Sequence, residues 1–298
     1  MMKMNIIKGA YIALGLSLCG LAACSSSDDT MPDNQPFVLD SSIQGISLSR
    51  APQLDASGSG QFTNGDVNTL FFAHKDGRYL KDFSYTYGQT YYWDDVQLNA
   101  DGQALKVSAC YPAVSVSNPE DFSWDVTAQS TSTADFLAAA PVAVQEGHTT
   151  QVPLRFTHLM HKFIVRLQAD GTTVMEGDLV KARISIGRFL PQARINLLTA
   201  TVKEAVGTHS ETVANGAVAD FILPPQAVGR MEMLITLGNR TQRFKLSELK
   251  VGDSPLTTLE SGKAFTLAVK VSKSSFTITG QGIGPWENQG EANGEIIL

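Results

Sequence analysis

Short runs in which apolar and polar residues alternate dominate this chain. Phe83-Ser84-Tyr85-Thr86-Tyr87 alternates strictly, and Gly88-Gln89 turns it. A period of two puts every second side chain on one face, the signature of a half-buried strand. The same reading predicts strands at 69–74, 91–93 and 105–111, the last stopped by Pro112. Gln151 to Leu167 is the longest extended stretch. Its in-phase set changes from Leu154, Phe156 and His158 to Phe163, Val165 and Leu167. A slip of one residue needs a bulge or a corner, so a boundary is expected near His158 to Met160. Further strands follow at 181–186, 193–198, 219–223, 231–237, 242–246 and 264–271. Gly238-Asn239 marks a two-residue hairpin between two of them. Phe276 to Thr279 is extended, and Gly280 to Gly294 reads as loop. Phe37-Val38-Leu39, Ile43, Ile46 and Leu48 suggest one or two short strands. Residues 121–129 have no clear period, and 134–140 suit a helical turn. No segment keeps helical periodicity over three turns. The expected fold is all-β, two tandem β-sandwiches at 37–158 and 159–298.

The two ends of the chain break this pattern. Lys3 and Lys8 precede an uncharged run from Gly9 to Ala23. That run is about 15 residues, shorter than the ~20 a spanning helix needs. A basic start, a short apolar core and small residues at the exit describe a bacterial secretory signal peptide at 1–23. Leu21-Ala22-Ala23-Cys24 resembles the lipobox of bacterial lipoproteins. That resemblance implies cleavage between Ala23 and Cys24, a diacylglycerol on the Cys24 thiol and an acylated amino terminus. Each buried methylene contributes about 0.8 kcal/mol, so three chains hold a protein firmly on a bilayer. The alternative is an ordinary signal peptide with a chance cysteine. Residues 24–36 are polar and read as a tether. Asp28 and Asp29 resemble a signal for transfer to the outer face of the outer membrane. At the other end Ile296-Ile297-Leu298 is apolar. It suggests a final strand seated in this chain's sheet or in another's.

Composition narrows the function classes. A net charge of -6 argues against nucleic acid or an anionic membrane surface as partner. With Cys19 in the signal and Cys24 lipidated, Cys110 is the only cysteine left in the mature body. No internal disulfide is then possible, and Cys110 in its apolar run reads as a buried structural thiol. His158 and His161 resemble a metal pair, but in one strand that spacing points them to opposite faces. No nucleophile elbow, zinc-protease helix or phosphate-binding loop is found. Gly280 to Gly284 is G-x-G-x-G before Pro285-Trp286, not before a helix. Asp94-Asp95 and Glu120-Asp121 are adjacent and do not suggest a glycosidase dyad. The aromatics Tyr85, Tyr87, Tyr91, Tyr92 and Trp93 suit either a sugar platform or cross-strand core pairs, and core pairs are favoured. No enzyme, cofactor or metal is expected. Arg50-Ala51-Pro52 leads into a polar Gly/Ser-rich stretch from Gln53 to Gly65, where proteases reach easily, although the residues alone favour a plain surface arginine.

Taken in order, several short phrases resemble the fimbrillin family of Bacteroidetes, the subunits of type V pili. They are the lipobox, Arg50-Ala51 before Gly65-Asp66, Tyr91-Tyr92-Trp93 and Ala109-Cys110-Tyr111-Pro112. Ala134-Asp135-Phe136-Leu137-Ala138 and the phrase from Leu154 to Phe163 follow. Leu223-Pro224-Pro225-Gln226, Ile278 and Trp286-Glu287 complete the set. The resemblance implies two transthyretin-like sandwiches. It implies cleavage by an arginine-specific protease at Arg50-Ala51 and loss of the first strand, roughly Phe37 to Ser49. A strand from another subunit then fills the gap, with the donor at Glu295, Ile296, Ile297 and Leu298. The implied partners are copies of this chain or other pilus subunits, the protease, and outer-membrane lipid through Cys24. The implied place is the outer-membrane surface and the fimbrium, with adhesion as the role. The alternative reading is a non-polymerising surface lipoprotein, either an anchor subunit or a glycan-binding adhesin.

Overall fold

In a computed structural model the described residues are 35–44, 53–54, 60–98, 103–130 and 133–286. The first half builds a nine-stranded sheet. Its path runs Gln53–Leu54, Gly60–Gln61, Pro36–Gln44, Gln151–His158, Leu137–Gln145, Ala104–Tyr111, Val67–His74 and Tyr79–Thr86. Tyr91–Tyr92 pairs with the start of Pro36–Gln44. The sheet curls, so that strands far apart in its order meet across one core. The Phe37 ring lies 6.1 Å from Tyr85 and 6.4 Å from Phe83. Phe37, Leu39, Ile43, Leu70, Phe72, Tyr85, Trp93, Val107, Leu154 and Phe156 fill that core.

The second half packs two four-stranded sheets. One runs Val218–Leu223, His161–Ala169, Lys263–Val271, Phe276–Pro285; the other runs Ser210–Asn215, Arg183–Phe189, Glu232–Leu237, Arg240–Lys245. Phe163, Val165, Leu167, Phe265 and Leu267 from the first share a core with Ile184, Ile186, Met233 and Ile235 from the second. The Gly238 turn has φ +60, as a tight hairpin requires. A bulge at Gly187/Phe189 explains Arg188 with φ +66. Strict alternation would aim residue 188 inward with Ile184 and Ile186. The bulge turns its guanidinium out to Glu232 (3.5 Å) and buries Phe189 instead.

The halves are joined through the chain. Phe122–Asp125 pairs with Gln192–Asn196, which pairs with Thr201–Val206. Phe71, Cys110, Trp124, Phe136 and Ala138 belong to the larger core of the second half. Ser108 Oγ donates to the Leu197 carbonyl at 2.8 Å.

The slip seen in the sequence at 158–160 is where the chain leaves one sheet for the next. Gln151–His158 ends and His161–Ala169 begins. His158 and His161 therefore do not face opposite ways from one strand. They sit in two strands of two sheets, and both are buried. Three local readings also change. Residues 134–140 are not a helical turn but lead into the strand Leu137–Gln145, because main chain on both sides pairs with it. Trp93 does not extend its strand but opens a one-turn helix, Trp93–Val96, with Asp95 accepting from the Tyr92 N–H at 2.8 Å. Gly280 to Gly284 is not loop. It pairs with Ala268 to Ala264 as part of Phe276–Pro285. Glycine weakens a strand, but regular main-chain pairing holds this one on the sheet edge.

Candidate functional site

The strand Pro36–Gln44 is the one described strand upstream of Arg50. Its sequence, PFVLDSSIQ, alternates at Phe37 and Leu39 and returns to phase at Ile43. All three side chains are buried, Phe37 to 1% exposure. The strand lies inside the sheet rather than on an edge. It pairs in parallel with Gln151–His158 from Val38↔Gln151 to Gln44↔Thr157. On its other side it meets Gly60 through Ile43, and Tyr91 and Tyr92 through Phe37 and Pro36. Phe37 packs 4.9 Å from Trp93, whose Nε1 donates to the Thr149 carbonyl at 2.9 Å. The Tyr87 hydroxyl donates to Ser41 Oγ at 2.6 Å, and burial pushes that phenol up in pKa. Burying a side chain such as Phe, Leu or Ile contributes about 1.5–3 kcal/mol. Removing this strand therefore opens an apolar groove lined by unpaired N–H and C=O groups of Gln151–His158.

At the far end, Phe276–Pro285 is the edge strand beside Lys263–Val271. Trp286 follows it and is buried, its N–H donating to the Gly262 carbonyl at 3.1 Å. Ala23, Cys24, Arg50, Ala51, Glu295, Ile296, Ile297 and Leu298 lie outside the described residues.

The histidines are taken up by the protein itself. His158 Nδ1 lies 2.6 Å from Asp135 Oδ2, and His161 Nδ1 lies 2.9 Å from the Glu260 carbonyl. Burial pulls the His161 imidazole down to a pKa of about 4. Among the described residues no three His, Cys, Asp or Glu side chains come together as metal ligands. The aromatics of 85–93 pack into the first core. Tyr85 and Trp93 are buried, and Tyr91 packs 5.0 Å from Tyr85 and 5.2 Å from Phe83. A shallow polar depression of about 350 Å³ lies over Gly187, rimmed by Ser185, Arg188, His209, Glu211 and Glu232. Arg188 and Glu232 there pair with each other.

Cys110 is buried, and that burial pushes its thiol far up in pKa. A nucleophilic thiol needs the thiolate and access. Cys110 should therefore resist a thiol-reactive dye over hours in the native protein, and denaturant should release its labelling. Rapid native labelling would show that the core around Cys110 opens.

Sequence patterns did not show that Asp135 and Trp286 belong with His158. The three are far apart along the chain, and only the phrases around them carried any signal. In the fold they touch: the His158 and Trp286 rings stack at 4.3 Å and 8°.

Comparison with known proteins agrees with this architecture. A candidate fimbrium subunit of Bacteroides uniformis, Fim1C, is 26% identical over 246 residues, covering 80% of this chain and 71% of its own. A candidate cell adhesion protein of Bacteroides uniformis of known structure superposes with a TM-score of 0.63 at 19% identity. That match covers 85% of this chain and 99% of the other. Another from Bacteroides ovatus gives 0.59 at 16% identity, over 85% and 98%. At such identities these two structures speak to the all-β fold. Residues 53–286 match the fimbrillin-like family, and the chain belongs to that family.

Proposed function

We propose that this protein is a structural subunit of a cell-surface fimbrium, serving adhesion. It is exported as a lipoprotein through Cys24, cut after Arg50 and polymerised by strand exchange. One observation carries the reading. The single described strand before Arg50 is a nine-residue strand seated inside a sheet, with Phe37, Leu39 and Ile43 in the core. A cut between Arg50 and Ala51 disconnects this strand from the body, and its departure leaves Gln151–His158, Gly60–Gln61 and Tyr91–Tyr92 without their partner on it. The groove left behind has an apolar floor and one wall of unpaired main chain, which a strand from a neighbour satisfies by β-augmentation. The donor in this reading is Glu295 to Leu298, where Ile296 and Leu298 are two residues apart, the spacing that shares one face of a strand. Donation from one copy into the next is heterologous and does not close, so the product is a fibre. In this reading two sandwiches, 37–158 and 159–298, divide the work. The first accepts a strand and the second carries the donor segment.

Family membership and the fimbrium name of Fim1C support a pilus role. The partners are then copies of this chain or other pilus subunits, an arginine-specific protease and, before cutting, outer-membrane lipid. The test is Arg50→Ala in the native cell, with the amino terminus and intact mass read from envelope protein. The expected wild-type product starts at Ala51 without lipid and polymerises, and the variant stays a lipidated monomer starting at Cys24. Normal polymerisation of Arg50→Ala overturns the mechanism. A wild-type protein that keeps acylated Cys24 favours an anchor subunit or a glycan-binding lipoprotein.

A further inference from the structure

One polar chain of side chains crosses the first core. Asn68 lies in the inward row of Val67–His74 with Leu70 and Phe72, and it is fully buried. Its Nδ2 donates to the Tyr87 hydroxyl at 3.2 Å, which donates in turn to Ser41 Oγ at 2.6 Å. The Tyr87 ring stacks on Phe62 at 4.8 Å and meets Tyr85 edge-on at 5.2 Å. Ser41 stands two residues from Leu39 and two from Ile43, in the same inward phase as Phe37. It is the one hydroxyl in an inward row that otherwise reads Phe, Leu, Ile. Ser42 faces the other way, where its Oγ accepts from Arg155 Nη1 at 3.5 Å. Tyr85 also reaches the strand, but its hydroxyl accepts the Leu39 main-chain N–H at 3.5 Å, a group every residue but proline supplies. Tyr87 is thus the contact that reads a side chain. Asn68 Oδ1 is buried with no hydrogen-bond partner among the described residues. A leucine there would strand no such group, so burial energy alone does not account for the asparagine.

We infer that Tyr87, aimed by Asn68, selects the strand that fills the groove: it favours one carrying serine or threonine between two apolar inward residues, at the position of Ser41. The inference rests on the strand-exchange reading above. Register supplies the reason. Ser41 stands opposite Leu154 in the parallel pairing. A slip of one residue turns Phe37, Leu39 and Ile43 outward, and the loss of their burial rules it out. A slip of two keeps that row inward and preserves main-chain pairing. It brings Leu39 or Ile43 onto the Tyr87 hydroxyl, which then loses its acceptor. A buried hydrogen-bonding group left unpaired weakens binding by about ten- to a hundredfold. A single polar residue in a coiled-coil seam fixes register on the same principle. A strand with valine or leucine at that position is disfavoured for the same reason, because the polar groups of the groove are left unmatched. Residues 287–298 contain no serine or threonine. The groove therefore ranks another pilus subunit's strand that carries one above the end of a second copy of this chain.

Threonine and valine have nearly the same shape and differ by a hydroxyl against a methyl, so together they test the hydroxyl. In the full uncut chain, Ser41→Thr should exceed Ser41→Val by about tenfold in folding equilibrium constant, read by denaturant unfolding. Adding Tyr87→Phe to both should abolish the difference, as a double-mutant cycle requires of a direct contact. The second measurement uses the full chain cut after Arg50, with labelled peptides of residues 36–44 competing against the seated strand. The Ser41→Thr peptide should bind about tenfold tighter than the Ser41→Val peptide, and Tyr87→Phe should again level them. Ser42→Thr and Ser42→Val peptides should bind alike, which separates the hydroxyl contact from strand propensity. Equal stability of the two position-41 variants in the uncut chain overturns the inference. Peptides that exchange without preference overturn it too, and leave strand exchange standing. A preference in the uncut chain with no peptide exchange after cutting overturns strand exchange, and with it the selection of an incoming strand.

Discussion

Phe37→Ala will destabilise the uncut chain by about 3–5 kcal/mol and leave the form that starts at Ala51 unchanged. The size follows from the site. Phe37 is buried among Phe83, Tyr85, Tyr91 and Trp93, with ring centroids 4.9 to 6.5 Å away. Truncation removes both the transfer term and the contacts of four rings, and a site walled by rigid aromatics relaxes little. The asymmetry follows from topology. Phe37 reaches the body only through the strand Pro36–Gln44, which a cut after Arg50 disconnects. Urea unfolding of both forms, followed by tryptophan fluorescence, makes the measurement. A loss of equal size in the two forms would mean that residues 36–44 stay in place after cutting, and the groove would not exist.

Stability of the folded chain should fall by about 3 kcal/mol as pH drops from 6.5 to 4, through His161 alone. His161 is fully buried, and burial holds its folded pKa at about 4, against an ordinary 6.5. Its Nδ1–H donates to the Glu260 carbonyl, and Nε2 has no hydrogen-bond partner among the described residues. A second proton would therefore place an unpaired charge in the core. The sign follows from proton counts. Between pH 6.5 and 4 the unfolded chain binds a proton that the folded chain refuses, so stability rises with pH across that window. Above 6.5 both states are neutral, and below 4 both are protonated, so the slope from this group vanishes at either end. His161→Asn keeps an N–H donor near Glu260 and cannot be charged. Denaturant melts of both proteins from pH 4 to 7 should show the variant's curve flatter by that amount. Parallel curves would mean that the imidazole is not held neutral.

The sheet pairing also separates what local pattern can encode from what it cannot. A period of two needs only neighbouring residues, so Gln151–His158 with its buried Val152, Leu154, Phe156 and His158 was legible at once. So was the hairpin at Gly238, because a positive φ restricts the choice of residue there. The one-residue slip at 158–160 was also visible, since a change of phase cannot be hidden on a pleated strand. Ala134 to Ala140 and Gly280 to Gly284 were misread for a common reason. Alanine and glycine have weak preferences of their own, and pairing with strands far away in the chain decides their conformation.

From the sequence alone came the all-β class, the place of many of the strands though not of Leu137–Gln145, Thr201–Val206 or Ser210–Asn215, the family resemblance and the position of Arg50 after a strand. These are properties of neighbours, of composition and of ordered short phrases. Only the tertiary structure decided that the strand before Arg50 runs parallel to Gln151–His158 inside a sheet, not along an edge. It also decided that His158 and His161 serve two different sheets, and that Asp135, His158 and Trp286 share one buried point. Each of these is a contact between residues far apart in the chain. Its energy comes from burial and main-chain pairing that no local window contains.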